Sequence, residues 1–505
     1  MPSAPLPANR WFVLVAVMLA FLPVVLDMTI LHVAVPTLTQ SLNASGTEVL
    51  WIIDIYPLLM AGLLVPMGTL ADRVGNREIL LVGLVVFAVA SASAAFAPSP
   101  AMLIAARVLL ALGASMIMPC VLGLIRKTFE DEGERAMALG LWGMVGAAGA
   151  AVGPLVGGAL LEHFWWGSAF LINVPVMLVV APACHVLLPR VERTTTRKWA
   201  IRQALMLIIG TISLVYGIKA GFAGKQPLPI IALVVVFGAS ALTLFVRAQL
   251  RSSEPMLDLS LLSRPAIVAG LIMAVVASGA LAGVELTVAQ ELQYVLNMTP
   301  LEAGFFMIPI MAAAAVGGPV AGHLSNQFGL RPVATLSLAI SAGALVFLSQ
   351  SGFHDPGVFV AIALAVLGLS LSIGLTASSI AIMGSVDASE GGAAGALEAT
   401  GYELGTGLGI TLFGVFMSSV FGRAIVPPSG LSPALTEKAS RTIGDAYIVA
   451  GELPGAQGAA LIEAGKAAFS QTHPVLLTTA AVAIGALAVA VYFTLAGYRG
   501  FCRPQ

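Results

Sequence analysis

Charge is what this chain has least of. Asp, Glu, Lys and Arg together make up 10% of its 505 residues and the formal net charge is -1, whereas soluble domains carry about 25% charged residues. So little charge cannot cover a soluble core with a polar surface, and without a basic excess nothing offsets a phosphate backbone, which excludes nucleic acid as a partner. Cysteine is nearly as scarce. Cys120, Cys184 and Cys502 are too few and too scattered for a disulfide framework or a metal site, and they read as packing residues. Also missing are a glycine loop ending in Lys-Ser or Lys-Thr, a Gly-x-Ser-x-Gly elbow, a His/Cys ligand cluster and a polar stretch long enough for an ATP-hydrolysing domain. A membrane-embedded enzyme would show a catalytic loop of clustered polar residues. None is visible, so the expectation is a non-enzyme with no cofactor and no metal, its work driven by an ion gradient.

What fills the sequence instead is apolar, 58% of all residues with a mean hydropathy of +0.98. Fourteen apolar runs follow one another, from about 11–35 to about 474–497. Each is long enough for the roughly 20 residues with which a helix crosses a hydrocarbon core. The first run carries Asp27 and lacks a small-residue cleavage site, so it reads as a retained helix and not as a signal peptide. The expected fold is all-α and integral to the membrane, with fourteen transmembrane helices. Placing the N-terminus in the cytoplasm puts seventeen of the 24 Lys and Arg residues on the inner side. Six fall outside, Lys219, Lys225, Arg423, Lys438, Arg441 and Lys466, and Arg107 falls inside a run. The positive-inside rule therefore puts both termini in the cytoplasm.

The chain repeats itself. Gly68-Thr-Leu-Ala-Asp-Arg-Val-Gly-Asn-Arg77 returns 254 positions later as Gly322-His-Leu-Ser-Asn-Gln-Phe-Gly-Leu-Arg331, keeping the glycines and losing the charges of Asp72 and Arg73. A polar glycine turn repeated between membrane helices marks a chain built from two related halves. The division expected is a six-helix bundle over 1–190, two inserted helices with basic linkers over 191–264, and a second six-helix bundle over 265–505. The second bundle carries a long outer loop at about 424–472, with Pro427, Pro428, Pro433 and Pro454. A loop of that length is a gate or a tolerated surface insertion.

Seven ionisable residues stand inside the runs: Asp27, Asp54, Arg107, Glu285, Glu291, Glu398 and Glu403. Each costs ~2.5–3.5 kcal/mol at a helix centre on insertion scales. Six acids against one base means that some acids are neutral, hydrated or paired with a bound cation. Asp27 lies roughly 24 Å along the first helix at 1.5 Å per residue, past the midplane. Arg107 falls at a depth where it can reach Asp27, and Glu285 is level with Asp27 in the other half. Asp54, beside Trp51 and Tyr56, lies nearer the outer surface, as does Glu291. Glu398 sits in the inner third and Glu403 near the middle, pointing about 140° apart.

At this point the residues resemble a known family. Gly68-x-Leu70-Ala71-Asp72-Arg73-x-Gly75-x-Arg77 looks like the loop between helices 2 and 3 of the major facilitator superfamily, and Arg107 followed by Gly113 resembles its buried-arginine motif. Gly149-x-x-x-Gly153-Pro154-x-x-Gly157-Gly158 is similar to the antiporter motif of its drug exporters. Leu26-Asp27-Met28-Thr29 and Phe170 to Pro175 narrow the likeness to the fourteen-helix drug:proton antiporters. Trp51 to Tyr56 and Tyr402-Glu403-Leu404-Gly405 bring it nearer to exporters of quaternary ammonium compounds and methyl viologen, the QacA-like and SmvA-like group.

The resemblance implies a monomeric antiporter in the bacterial cytoplasmic (inner) membrane, among membrane lipids, exporting lipophilic cations against protons. It implies proton coupling at Asp27, Glu398 and Glu403, and substrate contacts at Asp27, Asp54, Glu291, Trp51, Tyr56 and Tyr402, to which the depth of Glu285, level with Asp27 in the opposite half, adds that acid. Conformational gating would fall to Gly68, Asp72, Arg73, Gly75, Arg77, Arg107, Gly149, Gly153 and Pro154. Two departures stand against wholesale transfer. Met311 to Val316 holds no acid where some relatives have one, and Glu398 is followed by Ala399 where some have adjacent acids. An exporter of another amphiphile or metabolite is the alternative.

Overall fold

A computed structural model describes residues 10–129, 131–188, 201–223, 226–253, 255–353, 357–386 and 390–497. The linker residues Arg190, Arg193, Arg197 and Lys198, and Cys502, lie outside them. Among the described residues every regular element is a helix, and fourteen helices are long and apolar enough to cross a membrane. They are α1 (Arg10–Leu42), α2 (Gly46–Val74), α3 (Asn76–Ala95), α4 (Pro100–Thr128), α5 (Glu132–His163), α6 (Ser168–Leu187), α7 (Ile201–Ala223) and α8 (Leu228–Arg251). After them come α9 (Pro265–Gln290), α10 (Pro300–Phe328), α11 (Leu330–Gln350), α12 (Val358–Met383), α13 (Gly391–Ala424) and α14 (Gly455–Thr494).

The duplication reaches the helix boundaries. Helix α2 opens on a capping box, Ser45 accepting from the Glu48 amide while the Glu48 carboxylate accepts from the Ser45 amide. Helix α10 opens on the same device built from Thr299 and Glu302, each 254 positions further on. Reciprocal caps of this kind satisfy two otherwise orphaned amides at a helix start. Both helices stop at a glycine, Gly75 with φ 128° and Gly329 with φ 84°. A side chain at either place would be strained, so glycine ends each helix sharply and turns the chain back into the next one. The face of the bundle that carries these two turns is called the Gly75/Gly329 face, and the opposite one the long-loop face.

One apolar core joins α1 to α6, and a second joins α9 to α12 with α14. Close approach between helices depends on missing side chains. A Cβ on Gly153 of α5 would collide with the Thr29 hydroxyl of α1, and one on Gly158 would lie 2.6 Å from Leu301 Cα of α10. Contacts between the halves gather toward the long-loop face: Gly304 of α10 against the Pro154 carbonyl, Gly407 and Gly414 of α13 against Leu58 and Leu50 of α2, and Gln293 donating to the Val33 carbonyl at 2.9 Å. Toward the other face Met137 and Met144 of α5 are 55% and 64% exposed, and Gly322, Gly392 and Gly395 have no neighbour where a Cβ would stand. The bundle is shut at the long-loop face and parted at the Gly75/Gly329 face.

Helices α7 and α8 pair with each other, and α7 leans on both α2 and α13. Gly62 of α2 packs directly under Ile208 of α7. The inserted pair thus sits at the seam of the halves.

The expected loop at about 424–472 is shorter than its proline content suggested. Helix α14 begins at Gly455, so it runs for 40 residues and takes in the alanine-rich stretch. Alanine is the strongest helix former, and it carries the helix past the end of its apolar part. What remains, residues 425 to 454, holds two short helices, Pro433–Ala439 and Ile443–Gly451. The second is tied to both halves. Asp445, 2% exposed, accepts from the Gly46 amide at 3.4 Å and from the Thr442 hydroxyl at 2.8 Å, and the Tyr447 hydroxyl donates to the Tyr294 carbonyl at 2.5 Å.

Burial pushes the Asp445 carboxyl above the usual carboxylate range, against the pull of its hydrogen bonds to Thr442 and Gly46. A pKa higher in the docked segment than in the open one means that docking favours the proton. The segment therefore gains stability as pH falls through the raised value toward the ordinary ~3.9. Hydrogen exchange of Ile443–Gly451, corrected for intrinsic rates, should slow over that window. Asp445→Asn should flatten the dependence, and an unchanged slope in that variant would assign it to another group.

Candidate functional site

Helices α1, α2, α4 and α7 bring Asp27, Asp54, Arg107 and Lys219 to the interior of the bundle. Asp27 of α1 and Arg107 of α4 are 2% and 1% exposed, and Arg107 Nη1 donates to Asp27 Oδ2 at 2.6 Å. Arg107 also donates through Nε to the Ile52 carbonyl of α2 at 3.0 Å, and its guanidinium lies 4.6 Å from the centre of the Tyr56 ring. One side chain thus pins three helices and cancels one charge. The second oxygen, Asp27 Oδ1, has no hydrogen-bond partner among the described residues.

Asp54 of α2 is fully buried, not a solvated helix end. Its Oδ2 accepts from Thr411 of α13 at 2.5 Å and lies 2.7 Å from Lys219 Nζ of α7. That ammonium also sits 3.7 Å from the centre of the Trp51 ring, a cation–π contact. Lys219 corrects the expectation of six acids against a single base. Its position inside an apolar run was the available signal, but it lies so near the run's end that it reads as a topogenic charge. The Asp54 group joins both halves and the insert at one carboxylate.

The second half is arranged differently. Glu285 of α9, 9% exposed, meets His32 Nδ1 of α1 across the seam at 3.1 Å. Glu403 of α13 is 4% exposed and Glu291 5% exposed, each with an oxygen lacking a hydrogen-bond partner among the described residues. Glu291 opens a π-helical turn, Glu291–Val295, that ends the α9 span. Glu398 is half-buried beside Ser379 of α12. Tyr402 is 39% exposed, in contrast to Tyr56 at 0%. Tyr56 and Arg107 thus adjoin Asp27, Trp51 and Lys219 adjoin Asp54, and Glu398, Tyr402 and Glu403 stand on α13.

The expected gating residues lie along the Gly75/Gly329 turn and the α1–α5 seam. Asp72 and Arg73 are exposed at the end of α2. Arg77 is 6% exposed, donates to the His185 carbonyl of α6 at 2.5 Å and lies 3.5 Å from Glu78. Gly68 faces Pro119 of α4, and Gly149 faces Leu22 and Val25 of α1. No group of three or more His, Cys, Asp or Glu that could hold a metal occurs among the described residues.

The family model of the Major Facilitator Superfamily matches residues 17–287. The methyl viologen resistance protein SmvA of Salmonella typhimurium is 45% identical over 488 residues, 97% of this chain and 99% of that one. The chain belongs to the major facilitator superfamily. The multidrug efflux pump LfrA of Mycolicibacterium smegmatis is 34% identical over 96% of each chain. Among solved structures, a bacterial homologue of the human lysosomal transporter Spinster in an inward-facing and unoccupied conformation matches with a TM-score of 0.67 and 18% identity over 98% of both chains, a likeness of fold. This superfamily member is a multi-pass membrane transporter.

The Arg107–Asp27 pair makes a stability prediction. Arg107→Leu strands a buried carboxylate and should cost about 3–5 kcal/mol, whereas Arg107→Leu with Asp27→Asn removes both charges and should recover most of that loss. Thermal unfolding of the purified protein in detergent reads both. Equal destabilisation of the single and double variants would mean that Arg107 acts through Ile52 and Tyr56 and not through Asp27.

Proposed function

We propose that this transporter exports lipophilic organic cations from the bacterial cytoplasm in exchange for protons, by alternating access. Quaternary ammonium compounds, methyl viologen, biguanides and cationic dyes are the expected cargo. The observation that carries the reading is the set of carboxylates buried inside the helix bundle, two of which, Asp54 and Glu285, meet the other half. Asp27, Asp54, Glu285, Glu291 and Glu403 offer the interior more negative than positive charge. Methyl viologen, the compound to which the 45% identical relative is named as giving resistance, is a dication, which fits that surplus.

The mechanism follows from electrostatics. A carboxylate in a low-dielectric cavity is stabilised as the anion by a nearby cation, and favours its protonated form when the cavity is empty. Cargo and proton then compete for the same charge, so the uptake of one releases the other. Asp27 is the principal coupling residue and Glu403 or Glu398 a second carrier, while Asp54 and Glu285 hold cargo with Trp51, Tyr56 and Tyr402 around it. Residues 1–190 and 265–505 are the units that rock, with 191–264 carried between them. The parted Gly75/Gly329 face is the cytoplasmic one, in keeping with the basic residues near it, and both termini lie there. Opening the other face requires α5 to leave α10 and α2 to leave α13, contacts made by Gly158, Gly304, Gly407 and Gly414. The chain acts as a monomer, with no cofactor.

Everted membrane vesicles carrying an established pH gradient provide the test. Adding methyl viologen or benzalkonium should release lumenal protons above the level of vesicles lacking the protein. Asp27→Asn, which keeps the shape and removes the titration, should bring the signal to background for every cation. Cargo movement that persists after the pH gradient is collapsed and depends on ATP would overturn the antiport reading.

A further inference from the structure

Lys219 has no part in that scheme, and its surroundings are those of a bound cation. The ammonium is held by Asp54 Oδ2 at 2.7 Å and by the face of Trp51, its Nζ 3.7 Å from the ring centre. A carboxylate beside an aromatic face suits a quaternary ammonium, which has no N–H to donate and relies on charge and the ring quadrupole. Lys219 draws on the same two groups. Its side chain is 2% exposed and that of Asp54 0%, and Asp54 Oδ1 remains without a hydrogen-bond partner among the described residues. Nor is there a wall behind it. A cavity of about 640 Å³ on the long-loop side is lined by Trp51 and Lys219, with Glu48, Tyr216, Ser418 and Asp445 around it. The flexible four-carbon stem of a lysine can swing its charge into such a space, where two carboxylates, Glu48 and Asp445, outnumber the one other cation on the lining, Arg441.

We infer that Asp54 and Trp51 form an organic-cation subsite and that Lys219 is its tethered occupant, which cargo must displace toward the long-loop cavity. The inference rests on the reading of this chain as a cation exporter. Two properties follow. The buried carboxylate is never left bare, because the tether refills the site when cargo leaves, and a bare charge there would be costly. Selection also follows, since a competing ligand attached to the same chain acts at high effective concentration. A small ammonium offers no more than Lys219 already does, whereas a large aromatic cation or a dication adds ring contact or a second charge. Thr411 of the second half donates to the same Asp54 oxygen, so an exchange of cations at this carboxylate is felt across the seam.

Equilibrium binding of radiolabelled tetraphenylphosphonium to the purified full chain tests this. Lys219→Gln removes the competitor and should tighten binding roughly tenfold. Asp54→Asn in the same background should abolish the gain. Lys219→Arg keeps the charge, and with it the compensation of Asp54, but grips a carboxylate as a planar fork, so it should bind the probe more weakly than the unaltered chain. Lys219→Arg decides the matter even if Lys219→Gln does not fold. Affinity at or above that of the unaltered chain in the Arg variant, no gain in a folded Gln variant, or a gain that survives Asp54→Asn would each overturn the tethered-occupant assignment. Absence of binding to the unaltered chain and to every variant would overturn the organic-cation reading together with it. Binding by the unaltered chain that neither Lys219 variant alters would overturn this inference alone.

Discussion

A carboxylate buried among lipid-embedded helices has to be neutralised by something, and the choice of neutraliser organises this molecule. Water is excluded at Asp27 and Asp54, so the charge must be met by a base, a proton or a bound cation. Two bases supply the answer in the first half, Arg107 and Lys219. They differ in kind. A guanidinium stays charged and grips several acceptors at once, which suits Arg107 to pinning α1, α2 and α4 together. An ammonium on a flexible stem touches its partner at a point and can be exchanged.

The duplicated halves share a backbone plan and not a charge plan. Capping boxes, helix lengths and glycine stops recur at a spacing of 254 between α2 and α10. Yet no Lys or Arg stands in the middle of α9 to α13, and among the described residues Glu285 meets a histidine from the other half and Glu398 lies beside a hydroxyl. Compensation in the first half is built in, and compensation in the second half has to arrive. Such asymmetry suits a machine that moves positive charge. A fully self-neutralised bundle would bind no cation, and a fully uncompensated one would not hold its acids in a bilayer.

Much of the fold was legible because length and apolarity alone decide what can cross a membrane. All fourteen runs are helices, and the seam-forming glycines of α5 stand out by spacing. Helix α14 shows the limit, since its first turns are alanine-rich and not apolar, so a hydropathy reading cut them off. The site was legible by residue more than by partner. Asp27, Asp54, Glu285 and Glu403 declare themselves by being acids in apolar runs. Of their neighbours, Arg107 was within reach of Asp27 by depth, 80 residues away in the chain, whereas Thr411, 357 residues from Asp54, carried no signal. Helical periodicity says which face a side chain occupies, but not which helix that face meets. Lys219 was hidden by the opposite error, since a base near the end of a run is usually topogenic.

The inserted pair α7–α8 has the most to gain from this reading. A six-plus-six bundle needs no further helices to alternate between two openings, and a packed-on pair that touched only lipid would be dispensable. Helix α7 instead lies in the seam, against α2 and α13, and sends Lys219 to the carboxylate that the two halves already share through Thr411. Three elements that the sequence separates by hundreds of residues meet at one oxygen. Whatever occupies Asp54 therefore bears on how firmly α2 holds α13, and α2–α13 is part of the closure at the long-loop face. On the proposed reading, occupancy of the site and closure of the gate are then one equilibrium, set by the relative hold of a lysine, a proton and a cargo cation on Asp54.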